Sequence, residues 1–226
     1  MSEALAGVCE WLGALAVEGA RVVLIGHMHG HGVGHGVGHG EGEGDRRVAT
    51  LLQRKGAGEV VEAPQSAPAA LESTLGVGRA DVIVVERLDR ATDPLALLVA
   101  SRRALRREGF LVVETASLPG EGQARVELVP LGPDALAWRP SKRALEGMLQ
   151  LVGFEVVGTI AAGGHLSSLG RARRPSEIEQ RAGRVQLVHE QYMRCANYRE
   201  RIDFDALEAD VGEPSTVRFL GRSGQG

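Results

Sequence analysis

Histidine and glycine alternate over residues 26–44, GHMHGHGVGHGVGHGEGEG, directly after the apolar run Arg21–Ile25. Neutral imidazoles bind zinc, nickel, copper and cobalt well, and the intervening glycines allow several imidazoles to converge on one ion. A divalent transition metal bound here would be held by His27, His29, His31, His35 and His39.

Other interpretations of this segment stay open. A structural metal site needs ligands held by a second shell of contacts, and a glycine-rich segment supplies no rigid frame. HGVG repeats from residue 31, with HGEG as a third copy, which is typical of low-complexity expansion of a short loop. A phosphate-binding loop fits less well, because no Gly-Lys-Ser/Thr follows. Low-complexity expansion, loose metal binding and a catalytic metal therefore remain as alternatives.

Predicted strands and helices alternate along the chain around this segment. Asp81–Glu86 is a nearly continuous run of branched apolar residues, typical of a parallel strand covered on both faces. Asp93-Pro94 places an N-cap residue before proline and predicts a helix that ends at Gly109. The other predicted helices cover 2–18, 45–56, 67–75 and 142–152; the other strands cover 21–25, 59–62, 110–115, 154–161 and 165–171, with irregular structure over 116–137.

This order predicts an α/β fold with an open, mostly parallel, Rossmann-like sheet. The last two strands, joined by a turn at Gly163-Gly164, are expected to form an antiparallel hairpin. Ligands of such sheets bind outside the carboxyl ends of the strands. Because the Gly/His-rich segment leaves the carboxyl end of the first strand, its position makes it a candidate for a binding site.

Composition limits the classes of function. The net charge of −3 gives no overall attraction to nucleic acid or to anionic membranes. The two cysteines, Cys9 and Cys195, form no disulfide framework, and we expect a reduced, cytoplasmic protein. No run reaches ~18 apolar residues, so no membrane span is expected. Two arginine clusters, over 102–107 and 171–174, are either solvated element ends or a surface for phosphate.

The sequence predicts one α/β domain over residues 1–174, with 26–44 as an insertion. Residues 175–226 are expected to be a C-terminal helical extension with a disordered tail. An apolar stripe on the predicted helix is typical of core packing, a homodimer contact or a protein partner; it consists of Ile178, Ala182, Val185, Val188 and Tyr192.

Residues 80–115, ADVIVVERLDRATDPLALLVASRRALRREGFLVVET, resemble the second half of a class I S-adenosylmethionine (SAM) dependent methyltransferase. Residues 126–157, VELVPLGPDALAWRPSKRALEGMLQLVGFEVV, resemble the tRNA wobble-uridine carboxymethyltransferase group and its small-molecule relatives. The shared positions in this second stretch are Trp138, Pro140, Ser141, Ala144, Leu145, Gly153 and Phe154. The resemblance covers residues 20–160 and is nearest over 81–157.

The resemblance implies a cofactor site in several pieces. The family's glycine loop corresponds to residues 26–30, where Gly26 and Gly30 keep the outer glycines and Met28 replaces the middle one. The family's ribose-binding acid falls on Ala63. Glu62 lies one residue earlier, which places it on the other face of a strand, so Glu62 can bind the cofactor only if its strand ends early.

Two further pieces also depart from the family pattern. No third strand is found between Pro64 and Asp81, so the sheet is expected to lack it. The loop after the family's fourth strand is Glu86–Arg90, in which we assign Glu86 to cofactor binding. The aromatic residue and histidine that the carboxymethyltransferases carry there are missing, so binding of their carboxylated cofactor is not supported.

On the acceptor side, Glu114 ends a strand where methyltransferase substrates meet the methyl group. It is a candidate general base, the alternative being a solvated strand end. Trp138 and Arg139 are candidate substrate contacts. The sequence therefore predicts SAM-dependent methyl transfer to a small molecule or to nucleic acid such as RNA. The alternative is a catalytically silent binding or assembly protein whose histidine-rich segment carries metal.

Overall fold

A computed structural model describes residues 3–26, 42–64, 76–120, 122–132, 135–173 and 214–222. Several predictions fall outside these ranges: the five candidate metal-binding histidines, Gly30, the short helix over 67–75 and the apolar stripe of the C-terminal helix. Within the described ranges, no helix has the length and apolar character needed to cross a membrane.

The described elements follow the predicted alternation. The helices are α1 (Glu3–Gly13), α2 (Gly42–Arg54), α3 (Pro94–Ala104) and α4 (Lys142–Leu151), with a 3₁₀ helix at Leu88–Arg90. The strands are β1 (Leu15–Ala16), β2 (Arg21–Gly26), β3 (Glu59–Pro64), β4 (Ala80–Val85), β5 (Leu105–Ala116), β6 (Val126–Gly132), β7 (Ala135–Pro140), β8 (Phe154–Ala162), β9 (His165–Ala172) and β10 (Arg218–Phe219).

The central sheet has the strand order β3-β2-β4-β5-β9-β8. Its first four strands are parallel, and β9 pairs antiparallel with both β5 and β8. This confirms the mixed sheet with a terminal antiparallel hairpin. In the part of the chain that the structure describes, no strand pairs outside β3, where a third strand would lie.

Each face of the sheet is covered by helices. Val82, Val84, Phe110 and Val112 point toward α1 and α2, where Trp11, Leu12, Val48 and Leu52 complete one core. The alternate residues, including Ile83 and Leu111, point toward α3 and α4 and a second core. Because successive strand residues face opposite sides, a side chain's position along β4 or β5 decides which face of the carboxyl edge it reaches.

The predicted end of the Asp93-Pro94 helix was wrong. The start is as expected, because Asp93 accepts a hydrogen bond from the Ala96 amide at 3.0 Å. However, α3 ends at Ala104, since Leu105 already pairs with Ala80 of β4, and a bulge precedes the pairing of Val82 with Phe110. Gly109 lies in this bulge, where a Cβ atom would come 2.9 Å from two carbonyl oxygens.

Two other elements differ from prediction. The first helix ends at Gly13 rather than near residue 18, because Leu15 and Ala16 already pair as a strand with β10. Lys55 Nζ caps this end by donating to the carbonyls of Leu12 and Gly13 at 2.8 and 2.7 Å. The connection predicted as irregular contains the antiparallel hairpin β6–β7. This hairpin lacks the alternating pattern of a half-buried strand, since Val126, Leu128 and Leu136 are all exposed.

Residues 214–222 pack back onto the domain. β10 pairs antiparallel with β1, and Val217 is buried in the α1/α2 core. Ser215 Oγ donates to Asp81 Oδ1 at 2.9 Å at the start of β4. Arg222 pairs with Glu10 and lies 5.3 Å from the centre of the Trp11 ring. The end of the chain therefore holds α1 against the sheet.

Candidate functional site at the carboxyl edge of the sheet

The strand order has a topological switch point between β2 and β4. After β2 the chain forms β3 on one side of it, and it then returns to form β4 on the other side. Gly26 ends β2, and the Glu86 amide, just after β4, donates to the Ile25 carbonyl at 2.9 Å. Ligands of open α/β sheets bind outside the carboxyl ends at such a crevice, so Gly26 and Glu86 are brought to the expected place.

Glu86 and Glu114 lie on the same face of the sheet. Glu86 follows Val84, and Glu114 follows Val112, in the alternation that points toward α1 and α2. Both are buried, at 8% and 1% exposure. The pKa of the Cys9 thiol on α1 is raised, first by burial and then by the nearby charge of Glu86, whereas Arg47 of α2 acts in the opposite direction. The end of β4, α1 and α2 therefore lie close together around Glu86.

Glu114 is held by two hydrogen bonds. The Arg87 amide donates to Oε2 at 2.9 Å, and His165 Nδ1 lies 2.6 Å from Oε1. Burial raises the pKa of Glu114 above its ordinary value, whereas the Arg87 amide and His165 act in the opposite direction. His165 is the more accessible partner, with 27% of its side chain exposed against 2% for Glu114.

The pairing of β5 with β9 explains how Glu114 and His165 meet. Ala116 lies opposite His165, and Glu114 lies opposite Ser167. Directly opposed residues share a face, so His165, Ser167 and Glu114 all point toward α1. Ser167 Oγ is buried and has no hydrogen-bond partner among the described residues. The result is a polar group of side chains beneath α1, at the carboxyl edge.

The loop from Arg87 to Arg90 is fixed by Asp89. The Asp89 carboxylate is 2% exposed and accepts two hydrogen bonds from the Arg87 guanidinium, at 3.2 and 3.1 Å. It also accepts from the Ala116 amide at 3.2 Å and lies 3.6 Å from Arg90 Nε. Arg87 itself has a left-handed backbone, with φ of 58°. Asp89 therefore ties this loop to the end of β5 and aims the Arg87 amide at Glu114.

The two predicted substrate residues, Trp138 and Arg139, lie on the other side of this loop from Glu86 and Glu114. Trp138 lines a small apolar pocket. The other residues of its lining are Leu88, Pro94, Thr115, Val126, Pro140 and Met148. Thr115 points toward α3 and α4, opposite to Glu114, so the structure does not bring Trp138 and Glu114 into one pocket. Arg139, on the next position of β7, has a buried Nε without a hydrogen-bond partner among the described residues.

Glu62 could bind the cofactor only if its strand ended early, and the strand does not. β3 continues through Pro64, with Glu62 opposite Leu24 and Ala63 opposite Ile25. Ala63 is buried and Glu62 is exposed. Its role in cofactor binding stays a prediction, without the early strand end that would favour it.

The arginine clusters lie at the other edge of the sheet. Arg171 is opposite Phe110, at the start of the parallel part of β5. Arg171 and Arg173 both pair with Glu108, and Arg173 also pairs with Glu155. Arg102 is buried and donates to the carbonyls of Gly153 and Arg173. These arginines therefore stabilise the fold and do not lie at the carboxyl edge.

Among residues 3–26, 42–64, 76–120, 122–132, 135–173 and 214–222, no group of three metal-binding side chains comes together. The histidines proposed as metal ligands lie outside these ranges. The metal prediction therefore stays a prediction.

No protein-family model and no curated protein sequence matches the chain. Solved structures do. The Burkholderia thailandensis 1,6-didemethyltoxoflavin-N1-methyltransferase, solved with 1,6-didemethyltoxoflavin and S-adenosylhomocysteine, has a TM-score of 0.51 at 17% identity, over 75% of this chain and 76% of that chain. A candidate SAM-dependent methyltransferase from Listeria monocytogenes has a TM-score of 0.50 at 10% identity, over 74% of this chain and 99% of that chain.

The chain has the class I methyltransferase fold. At these identities the likeness shows the fold alone, and the nearer resemblance to the wobble-uridine group stays a prediction. In this class I methyltransferase fold, Gly26, Glu86 and Glu114 lie at the carboxyl edge as the sequence predicted, and their roles stay predictions. The contact of Glu114 with His165 was not predicted. The signal for His165 was its place directly after the Gly163-Gly164 turn, at the start of a strand predicted to return antiparallel.

Proposed function

We propose that the protein is a SAM-dependent methyltransferase that acts at the carboxyl edge of β2, β4 and β5. The observation that carries this proposal is the position of Glu86: a buried carboxylate at the switch point of a class I methyltransferase sheet, beside the glycine that ends β2. When bound, SAM supplies an electrophilic methyl group on a sulfonium ion.

The side chains at this edge fit such a cofactor in part. The Glu86 carboxylate can accept hydrogen bonds from the hydroxyl or ammonium groups of the cofactor, because an ionised carboxylate is a strong acceptor. Gly26 lets a ligand approach the backbone closely. The exposed Glu62 adds no buried acceptor at the end of β3. Binding therefore depends on Glu86 more than on the residue at the end of β3.

The acceptor is proposed to be a small molecule rather than RNA. The arginines of the two clusters that lie within the described ranges are engaged with Glu108, Glu155, Asp81 or backbone carbonyls, or lie near the amino edge of the sheet. RNA binding draws much of its affinity from cations that contact phosphate. The edge that carries Glu114 and His165 offers neither cluster to a phosphate backbone.

Calorimetry of the full chain with S-adenosylhomocysteine tests the cofactor part. We expect saturable binding, weakened about 10-fold to 100-fold by Glu86→Gln, because a hydrogen bond to a charged group contributes about 1.5–3 kcal/mol. Glu127→Gln, on the exposed hairpin, is the matched control and should bind like the wild type. No heat with SAM or S-adenosylhomocysteine, with or without zinc, would overturn the proposal in favour of a silent binding protein.

The acceptor part is tested with SAM labelled in its methyl group. The full chain is incubated with a panel of small phenols and amines, and separately with total RNA. Label in the small molecules supports the proposal, whereas label only in RNA contradicts it.

A further inference from the structure

We propose that His165, held by Glu114, is the group that removes a proton from the methyl acceptor. This inference rests on the proposed function and names its substrate class: a small molecule whose reacting atom is an oxygen or nitrogen that still carries hydrogen. The first evidence is the 2.6 Å contact between His165 Nδ1 and Glu114 Oε1.

The geometry assigns different roles to the two side chains. The Glu114 side chain is 2% exposed, and each of its carboxylate oxygens has a partner, the Arg87 amide or His165. Its burial therefore keeps an acceptor away from it. His165 is 27% exposed, and no hydrogen bond to its Nε2 is found among the described residues. Glu114 is a positioning residue, and His165 Nε2 is the atom that an acceptor reaches.

The contact with Glu114 also fixes the tautomer. Ionised Glu114 accepts hydrogen bonds and does not donate them, so in that state Nδ1 carries the hydrogen. Neutral His165 then has its lone pair on Nε2, in the form that a general base requires. After proton transfer, the imidazolium lies beside the Glu114 carboxylate.

The position along the sheet suits methyl transfer. His165 lies over the pairing of β5 with β9, and the switch point lies between β2 and β4. Neighbouring strands are about 4.8 Å apart, so the two points are separated by roughly two strand spacings. This separation of roughly 10 Å is one that a small acceptor can span between a cofactor at the switch point and the imidazole. Ser167 Oγ, buried beneath α1 without a described partner, offers a further hydrogen bond in the same region.

The proposed step transfers one proton and one methyl group. His165 Nε2 takes the hydrogen of an O–H or N–H acceptor while the acceptor atom forms a bond to the methyl carbon. The bond between methyl carbon and sulfur breaks, and its electron pair stays on sulfur as a neutral thioether. The proton remains on His165, beside Glu114, and leaves to water after release of the product.

The first test needs neither cofactor nor acceptor. Histidine ¹⁵N resonances of the full chain are recorded near pH 8, with His165 assigned by His165→Gln. We expect Nδ1 protonated and Nε2 unprotonated, and a shift toward the opposite tautomer in Glu114→Gln, whose amide can donate to Nδ1. Glu127→Gln, exposed on the hairpin, should leave the His165 resonances unchanged. A wild-type His165 with hydrogen on Nε2 would overturn the proposal.

The second test measures access to Nε2. Diethyl pyrocarbonate modifies unprotonated imidazole, and peptide mapping reports the rate at His165 relative to free N-acetylhistidine. S-Adenosylhomocysteine should slow modification of His165 if the ring lies beside the cofactor site. If S-adenosylhomocysteine binds but does not protect His165, the placement of His165 beside the cofactor is wrong. If S-adenosylhomocysteine does not bind, the proposed function is wrong, and the tautomer measurement alone then tests the contact between His165 and Glu114.

With an acceptor from the labelled panel, His165→Gln is expected to lower kcat by about 10²-fold to 10⁴-fold, the usual contribution of a general base. S-Adenosylhomocysteine affinity should remain near that of the wild type. Glu114→Gln should lower kcat with little change in KM, because it favours the wrong tautomer of His165 without removing a substrate contact. Unchanged kcat in His165→Gln would refute proton removal by this residue.

Discussion

Asp89 offers the sharpest test of how the loop beside Glu114 is held, and the test is the pair of variants Asp89→Asn and Asp89→Ala. Asparagine keeps the shape and one oxygen for the Ala116 amide, but it loses the charge that binds the Arg87 guanidinium in two places. Alanine loses both interactions. The difference between the two variants therefore reports on the oxygen that asparagine keeps, which accepts from the Ala116 amide and from Arg87 Nε.

The magnitude follows from burial and exposure. Hydrogen bonds to charged groups contribute about 1.5–3 kcal/mol each when shielded. The Arg87 and Arg90 side chains are 36% and 37% exposed, so water compensates part of the loss. We therefore expect Asp89→Asn to lower the free energy of unfolding by about 2 kcal/mol. Asp89→Ala should lower the free energy of unfolding by about 1–3 kcal/mol more, because the Ala116 amide is left without its acceptor.

Urea unfolding, followed by tryptophan fluorescence, measures these differences. Trp11 is 1% exposed in the α1/α2 core and reports on loss of tertiary structure. In thermal unfolding, a loss of 2 kcal/mol corresponds to roughly 4–8 °C for a chain of this size. Asp93→Asn is the matched control, because asparagine caps helices about as well as aspartate.

A clear negative result is available. If Asp89→Asn stays within about 0.5 kcal/mol of the wild type, as we expect for the Asp93 control, the buried carboxylate does not hold this loop. Equal stabilities of the asparagine and alanine variants would refute the assigned bond to Ala116.

Three further predictions concern other contacts. The pKa of Glu114 is raised in the folded state, so its contribution to stability is greatest below the ordinary value of 4.5 and is lost as pH rises through the folded-state pKa. Denaturation at several pH values should therefore show the stability of Glu114→Gln rising relative to that of the wild type from pH 4.5 upward. A difference in stability that does not change with pH would contradict this. Lys55→Met removes two hydrogen bonds at the C-terminal end of α1 and should cost about 1–2 kcal/mol in urea unfolding; Lys55→Arg should recover part of this, and an unchanged midpoint in the methionine variant would count against the cap. Trp11→Phe loses the N–H bond to the Ser167 carbonyl and should lower the thermal midpoint by several degrees, about 1–2 kcal/mol, which a melt with no change would disprove.

The strands were largely predictable because their signal is local. Asp81–Glu86 and Phe110–Thr115 are continuous runs of branched and apolar residues, and both are fully covered strands in the structure. The start of α3 was equally clear from Asp93-Pro94. Its end was not, because pairing of Leu105 with Ala80 competes with the helix, and that pairing depends on residues distant in sequence.

The candidate site was only half predictable for the same reason. Glu114 stands out because it ends an apolar strand. His165 lies 51 positions later, and its contact with Glu114 exists only through the register of β5 against β9. The hairpin β6–β7 escaped notice because exposed leucine and valine break the alternation that marks a half-buried strand. Long-range register, rather than local preference, decides these features.

The two end regions of the chain are neighbours in space. The Leu220 amide donates to the Ala14 carbonyl at 2.7 Å, and Arg222 pairs with Glu10. Glu10 and Arg222 are 212 positions apart in the sequence. Because the entropic cost of closing a loop grows only slowly with its length, this distant pairing is a modest burden on folding, and α1 and residues 214–222 are expected to unfold together as one cooperative unit.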